Sequence, residues 1–304
     1  MKQIRALMRR LREAPTLLRR LCLATLAANI VIVVTGGAVR LTSSGLGCPT
    51  WPRCTEGHYV ATAENGLHGY IEFGNRMLTF ALVAIVAATF LTAWLRRPRR
   101  RSIVLLAAAQ VAGIPGQAVM GGVTVLTHLN PWAVAAHFLF SMLLIFGAYA
   151  LYHRSGETDA RPAPIVPAAM RWLLRGIVLF TVAVITLGTV VTGSGPHSGD
   201  RGAKRTGFDP GVVSQLHADV VFVLIGLSLG AWFALRAMRA PARLRTAVSV
   251  MIAVQLGQGI IGFTQYTTHL PIALVGAHLF GASILWAVTV AVLFRSRTRE
   301  PAAA

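Results

Sequence analysis

Charge is scarce in this chain, and negative charge most of all. Only 13% of its 304 residues are charged, and 10 Asp+Glu stand against 29 Lys+Arg. An average soluble domain is roughly 25% charged. Cysteine is scarce too: three residues are too few for a disulfide-rich secreted scaffold. Apolar residues are not scarce. They make up 55% of the chain, with a mean hydropathy of +0.62, which excludes disorder. A net charge of +19 would point to nucleic acid on a soluble protein. On this background it points to a polytopic membrane protein whose surroundings are the lipid bilayer, with no nucleic-acid partner.

Long apolar runs fill the chain. A bilayer core needs about 20 mostly apolar residues per helix. Eight such stretches are present, at 17–39, 70–95, 102–125, 130–152, 171–193, 211–236, 243–265 and 270–295. Lipid offers no partner to an open backbone, so each is expected to be a helix. Gly113, Pro115 and Gly116 within one of them are expected to permit close helix packing. Of the 29 basic residues, 23 fall in the N-terminal segment, the alternate loops and the C-terminal tail. The positive-inside rule then places both termini in the cytoplasm of a multi-pass cell-membrane protein. The first span reads as an uncleaved helix rather than a signal peptide, because the basic region before it is long and no small-residue cleavage site follows.

Cys48 and Cys54 lie in GCPTWPRC, in the first outer loop. That compartment permits a disulfide, and two free thiols are the alternative. A zinc site has little support, because His58 and His68 nearby have no matching spacing. Cys22 reads as a small apolar residue.

The chain repeats itself. Residues 116–137 (GQAVMGGVTVLTHLNPWAVAAH) align without a gap with 257–278 (GQGIIGFTQYTTHLPIALVGAH), and Val-Val-Thr-Gly occurs at 33–36 and 190–193. Spans 1–4 and 5–8 are therefore expected to be parallel copies of one four-helix unit, related by an axis along the membrane normal. The expected division is 1–153, a linker at 154–170, and 171–304.

Ionisable groups inside spans are costly and are candidates for function. Glu72, Asn75, Arg76 and Thr79 share one helical face. They read either as a boundary ion pair that anchors the helix or as a carboxylate held by Arg76 at a cavity edge, able to handle protons. His137, His217 and His278 lie at similar depth, two of them at repeat-equivalent positions, and Asp219 follows His217. No Cys or carboxylate cluster accompanies them, so haem fits better than zinc or di-iron, with His217 and His278 able to supply its two faces. His128 and His269 precede the fourth and eighth spans, where they read as hydrogen-bond donors to haem propionates or as caps at helix starts. His153 reads as solvated, and His197 lies in the long outer loop before the sixth span.

Taken in order, GGAVRLTSSGLGCPTWPRC, Glu72 with Arg76, THLNPWAVAAH, TGSGPHSGD, Leu216-His217 and THLPIALVGAH resemble the haem A synthase family across nearly the whole chain. The resemblance implies a pseudo-symmetric eight-helix bundle that oxidises the C8 methyl of haem O to a formyl group for cytochrome oxidase assembly. It implies haem b between His217 and His278 in the C-terminal half, with His269 nearby. It implies substrate haem O in the N-terminal half, with Glu72 and Arg76 catalytic and His137 at the substrate haem; Asn75 falls at the same site, and His128 joins it on the propionate reading. It implies a Cys48–Cys54 pair, haem O synthase as supplier, a membrane electron acceptor and a possible homo-oligomer. One position departs from the family motif, which has His where this chain has Asn75. Asn does not offer the nitrogen that iron prefers, so His137 is left as the imidazole for the substrate haem. The readings of another class are a b-type electron-transfer cytochrome and a proton-coupled transporter using Glu72 and Asp219.

Overall fold

The computed structural model describes residues 15–299. The basic residues before Pro15 and the end of the tail, 300–304, lie outside it. Eight long helices carry the chain: α1 Pro15–Leu41, α2 Gly66–Leu95, α3 Arg101–Leu126, α4 Pro131–Ser155, α5 Ala168–Ser194, α6 Pro210–Ala237, α7 Ala242–Thr267 and α8 Ile272–Arg295. Each is long and apolar enough to cross a membrane, so this is an all-α polytopic membrane protein. Every marked stretch overlaps one helix, with edges shifted by a few residues. The α2 helix begins a turn early, at Gly66, because its polar first turn with His68 carries no hydropathy signal. The α3 helix continues through Pro115, and Gly113 and Gly116 beside that proline take Leu144 and Phe140 of α4.

The helices pack in a repeated pattern. In the N-terminal four, α1 meets α2 and α4, and α3 meets both of them; in the C-terminal four, α5 meets α6 and α8, and α7 meets both of those. Between the sets, α1 lies on α8, α5 on α4, and α4 on α8. Exchanging each helix with its counterpart four places on leaves this contact scheme unchanged, as a two-fold arrangement requires.

The Thr-His-Leu repeat has a structural cause. Thr127 and Thr268 close α3 and α7, and the next two residues turn left-handed: His128 and Leu129 at φ 51° and 58°, His269 and Leu270 at φ 62° and 59°. Both histidines are exposed on these reversals. Neither caps the following helix. Asn130 caps α4 by accepting from the Trp132 N–H at 3.0 Å, and Pro271 stands at the N-cap of α8. Histidine is among the residues that tolerate this backbone region.

The apolar cores fill one end of the bundle. Leu18, Cys22, Ile103, Ala107 and Leu151 pack together in the N-terminal set. Leu174, Ile177, Leu235, Leu244 and Met251 do so in the C-terminal set. Ile145, Ala148, Trp286 and Val290 join the two, and the Trp286 indole N–H donates to the Met142 carbonyl at 2.7 Å. Cys22 is fully buried, as a small apolar residue would be. Two buried amide side chains here find partners. Asn29 donates to the Thr25 carbonyl at 2.8 Å and to Gln110 Oε1 at 3.2 Å, and Gln110 donates to the Leu144 carbonyl at 3.1 Å.

At this same end the loops are tied by charge. The buried Arg154 donates to Glu157 at 2.8 Å and Asp159 at 3.0 Å, and Arg100 donates to Asp159 at 3.1 and 3.2 Å. His153 is not free in solvent: its Nε2 pairs with Glu157 at 3.1 Å and its ring stacks on Tyr149. A two-residue pairing of Ala163–Pro164 (β1) with Arg297–Thr298 (β2) holds the linker to the tail.

The Arg100 hydrogen bond holds the Asp159 carboxyl below the usual carboxylate range. A depressed carboxyl stabilises above its unfolded value, about pH 4, and that stability is lost as pH falls through the folded value. Amide exchange across 155–168, corrected for intrinsic rates, should therefore be slow at about pH 6 and accelerate below about pH 4. Asp159→Asn should be fast at both. Equal protection at both pH values in the native chain would rule the clasp out.

Candidate functional site

Toward the other end, the cores give way to one continuous cavity of about 1620 Å³, lined by all eight helices. Ordinary small-molecule sites occupy roughly 300–1,000 Å³. Its wall is largely apolar, and the charged residues on it are Arg40, Glu72 and Arg76.

Three imidazoles line it: His137 from α4, His217 from α6 and His278 from α8. Each has a buried Nδ1 with no hydrogen-bond partner among the described residues. Each lies against a glycine. A Cβ at Gly121 would meet His137 Cε1 at 3.4 Å, one at Gly188 would meet His217 Cε1 at 3.4 Å, and one at Gly262 would meet His278 Cε1 at 3.3 Å. Gly121 and Gly262 are repeat-equivalent, so each copy pairs the imidazole with a glycine lying against it.

Glu72, Asn75, Arg76 and Thr79 all reach the same cavity from α2. Glu72 is 6% exposed and is engaged at both oxygens. Its Oε1 accepts from Arg76 Nη2 at 2.5 Å and Nε at 3.2 Å, and its Oε2 accepts from the Cys48 N–H at 2.7 Å. Arg76 also donates to the carbonyls of Cys48, Thr50 and Arg53, each at 3.2 Å. The Glu–Arg pair is thus more than an i,i+4 contact, because it grips the Cys48–Cys54 loop from below. Those two cysteines are joined in a disulfide and are fully buried. Asn75 leaves its Oδ1 buried and unpartnered.

The gripped loop supplies part of the wall. Trp51 and Pro52 line the cavity, and the Trp51 ring lies on Gly122 of α3, where any Cβ would collide with it. Sequence reading does not single out Trp51 because its partner is a glycine on another span. Arg40 is also missed when grouped with the outer basic residues. Its signal is positional: Arg40 follows Gly36 of one Val-Val-Thr-Gly by four residues, as His197 follows Gly193 of the other.

Several expected residues lie elsewhere. His128 and His269 are on the exposed reversals and are not part of the cavity wall. Asp219 is exposed beside Gln215, which donates to it at 2.7 Å, and it too is off the wall. His68 pairs with Ser44 at 2.9 Å, and His58 is exposed. Among the described residues no cluster of three His, Cys, Asp or Glu is arranged to hold a metal ion alone.

Arg76 holds three loop carbonyls, so Arg76→Gln should loosen the loop. After mild reduction, thiol labelling of Cys48 and Cys54 should be several-fold faster in this variant than in the native chain, counted by mass spectrometry. Equal rates would mean the loop is held without Arg76.

A haem A synthase from Rhizorhabdus wittichii is 27% identical over 84% of this chain and 88% of its own length. One from Listeria welshimeri is 27% identical over 55% of this chain, and one from Exiguobacterium sibiricum is 28% identical over 53%. The chain spans about half the length of these last two. The profile of the COX15-CtaA family, described as cytochrome oxidase assembly protein, matches residues 19–196. That is more than half of the sequence, and the chain belongs to the COX15-CtaA family of cytochrome oxidase assembly proteins.

Proposed function

We propose that this chain is a haem A synthase, an oxidoreductase that converts the C8 methyl of haem O to a formyl group for cytochrome oxidase. The observation that carries the reading is the cavity itself: three imidazoles and a carboxylate–guanidinium pair on one apolar wall. A flat, mostly apolar ring held by imidazole nitrogens suits that wall. Buried polar atoms without partners need an explanation, and the three Nδ1 atoms sit on rings given room by glycine. The residues present therefore fit haem.

His217 and His278 are the residues that would hold haem b. Haem b supplies one-electron transfer there. His137 is the imidazole for substrate haem O, and Asn75 supplies no second one. His128 and His269, being exposed reversals, take no part in this reading.

Glu72 has a defined chemical capacity. A carboxylate has about four lone-pair sites. Oε1 is saturated by two Arg76 N–H groups, while Oε2 accepts one N–H from Cys48 and keeps a lone pair. Oε2 is the atom that takes a proton from water as that water attacks the oxidised methyl carbon. Arg76 fixes the Glu72 carboxylate, whose charge stabilises positive charge developing on that carbon. The methyl and one water give the alcohol with two electrons and two protons released. A second such step gives a geminal diol, which loses water to leave the aldehyde. The electrons pass to an acceptor in the membrane, and a haem O synthase would supply the substrate. Positive-inside charge places the Arg96–Arg101 end in the cytoplasm and the Cys48–Cys54 loop outside.

The test is co-expression with a haem O supply, followed by chromatography of the extracted haems. Haem A or its alcohol precursor is the expected product. Haem O and haem b alone, with the protein abundant and folded, would overturn the reading. Glu72→Gln keeps an acceptor for Arg76 and removes the base, so it should retain haem b and accumulate haem O or the alcohol. Gly262→Val should lower retained haem, read from the Soret band per protein. Gly257→Val on the same helix, where a Cβ meets nothing within 4 Å, should retain it.

A further inference from the structure

We infer that Arg40 is the carboxylate anchor of a porphyrin in this cavity, an inference that rests on the haem reading above. Of the three charged residues on the wall, Glu72 and Arg76 neutralise each other. Arg40 has no carboxylate within ion-pair distance among the described residues. Its Nε donates to the His197 carbonyl at 2.7 Å and its Nη2 to the Thr192 carbonyl at 3.0 Å. Five guanidinium N–H donors are available and two are used, which leaves Nη1 and half of Nη2 for a ligand. An uncompensated cation at the edge of hydrocarbon is expensive, so a bound anion is expected to offset it.

Position identifies the anion. Arg40 stands at the far end of α1, one residue before its last, and lines the cavity. His217 lies seven residues inside the start of α6, and His137 and His278 each lie six inside α4 and α8. At 1.5 Å per residue the imidazoles are about 9–10 Å deeper than the helix ends at which Arg40 sits. A porphyrin on those imidazoles carries its two carboxylates on one edge, and turning that edge outward directs them to Arg40. A guanidinium fork matches a carboxylate bidentately. The surroundings are cationic as well, since Arg205 donates to the Gly195 and Pro196 carbonyls, next to the residue whose carbonyl takes Arg40 Nε. The fork is held in place from both halves: it grows from α1 and is fixed by backbone in the last turn of α5 and in the loop after it.

Purified protein from haem-deficient cells, titrated with protohaem and with protohaem dimethyl ester, tests this by the Soret band. The native chain should bind the free acid about tenfold more tightly than the ester, as one charge-assisted contact implies. Arg40→Gln should bind the two alike, and Arg40→Lys should keep part of the preference. Equal binding by the native chain, or a preference unchanged in Arg40→Gln, overturns the assignment while leaving the haem reading intact. No shift or sharpening of the Soret band with either compound would instead overturn the haem reading, and the anchor with it. The same comparison in His137→Ala and in His278→Ala assigns the carboxylate to one half, because the preference disappears with the half that holds it.

Discussion

Hydrocarbon gives a polar group no water to fall back on. Every donor and acceptor at membrane depth must be satisfied by the chain or by something it binds. That constraint orders this molecule from end to end. Through the middle of the bundle, Asn29, Gln110 and Trp286 are matched to carbonyls, and toward the Arg96–Arg101 end the helices close into solid cores. At the other end, Asn75, His137, His217 and His278 keep buried atoms that the chain itself does not match. Three of those open atoms belong to imidazoles on one cavity wall, where a guest can meet them.

The pair Glu72–Arg76 shows how one interaction can bear on both architecture and chemistry. It neutralises two charges that would be costly apart, and it anchors the disulfide loop whose Trp51 walls the cavity. Weakening it would therefore change the shape of the pocket as well as its charge. This is why a charge-only substitution such as Glu72→Gln separates the two roles better than a truncation.

Much of this was legible in the sequence, and for physical reasons. Spans are legible because lipid imposes a length and a composition. The repeat is legible because Gly, Gln, Thr and His fall in one register. The cavity histidines are legible because ionisable residues are rare at that depth. Residues whose meaning depends on a distant partner were not legible. Trp51 needs Gly122, and Arg40 needs the carbonyls of Thr192 and His197, more than 150 residues away. His128 and His269 do not cap the helices that follow them: each stands in a left-handed reversal, which the backbone shows and the sequence does not.

Gly122 and Phe263 occupy equivalent places in the two copies. Phe263 is itself part of the cavity wall on a membrane helix, whereas at Gly122 the wall is lent by Trp51 from an extramembrane loop. The copies have therefore divided one task differently. In the second, a change of wall is also a change in a segment that must partition into the bilayer. In the first, the wall is detachable from the span, so its shape can drift under selection for a new guest while the helix beneath keeps its insertion code.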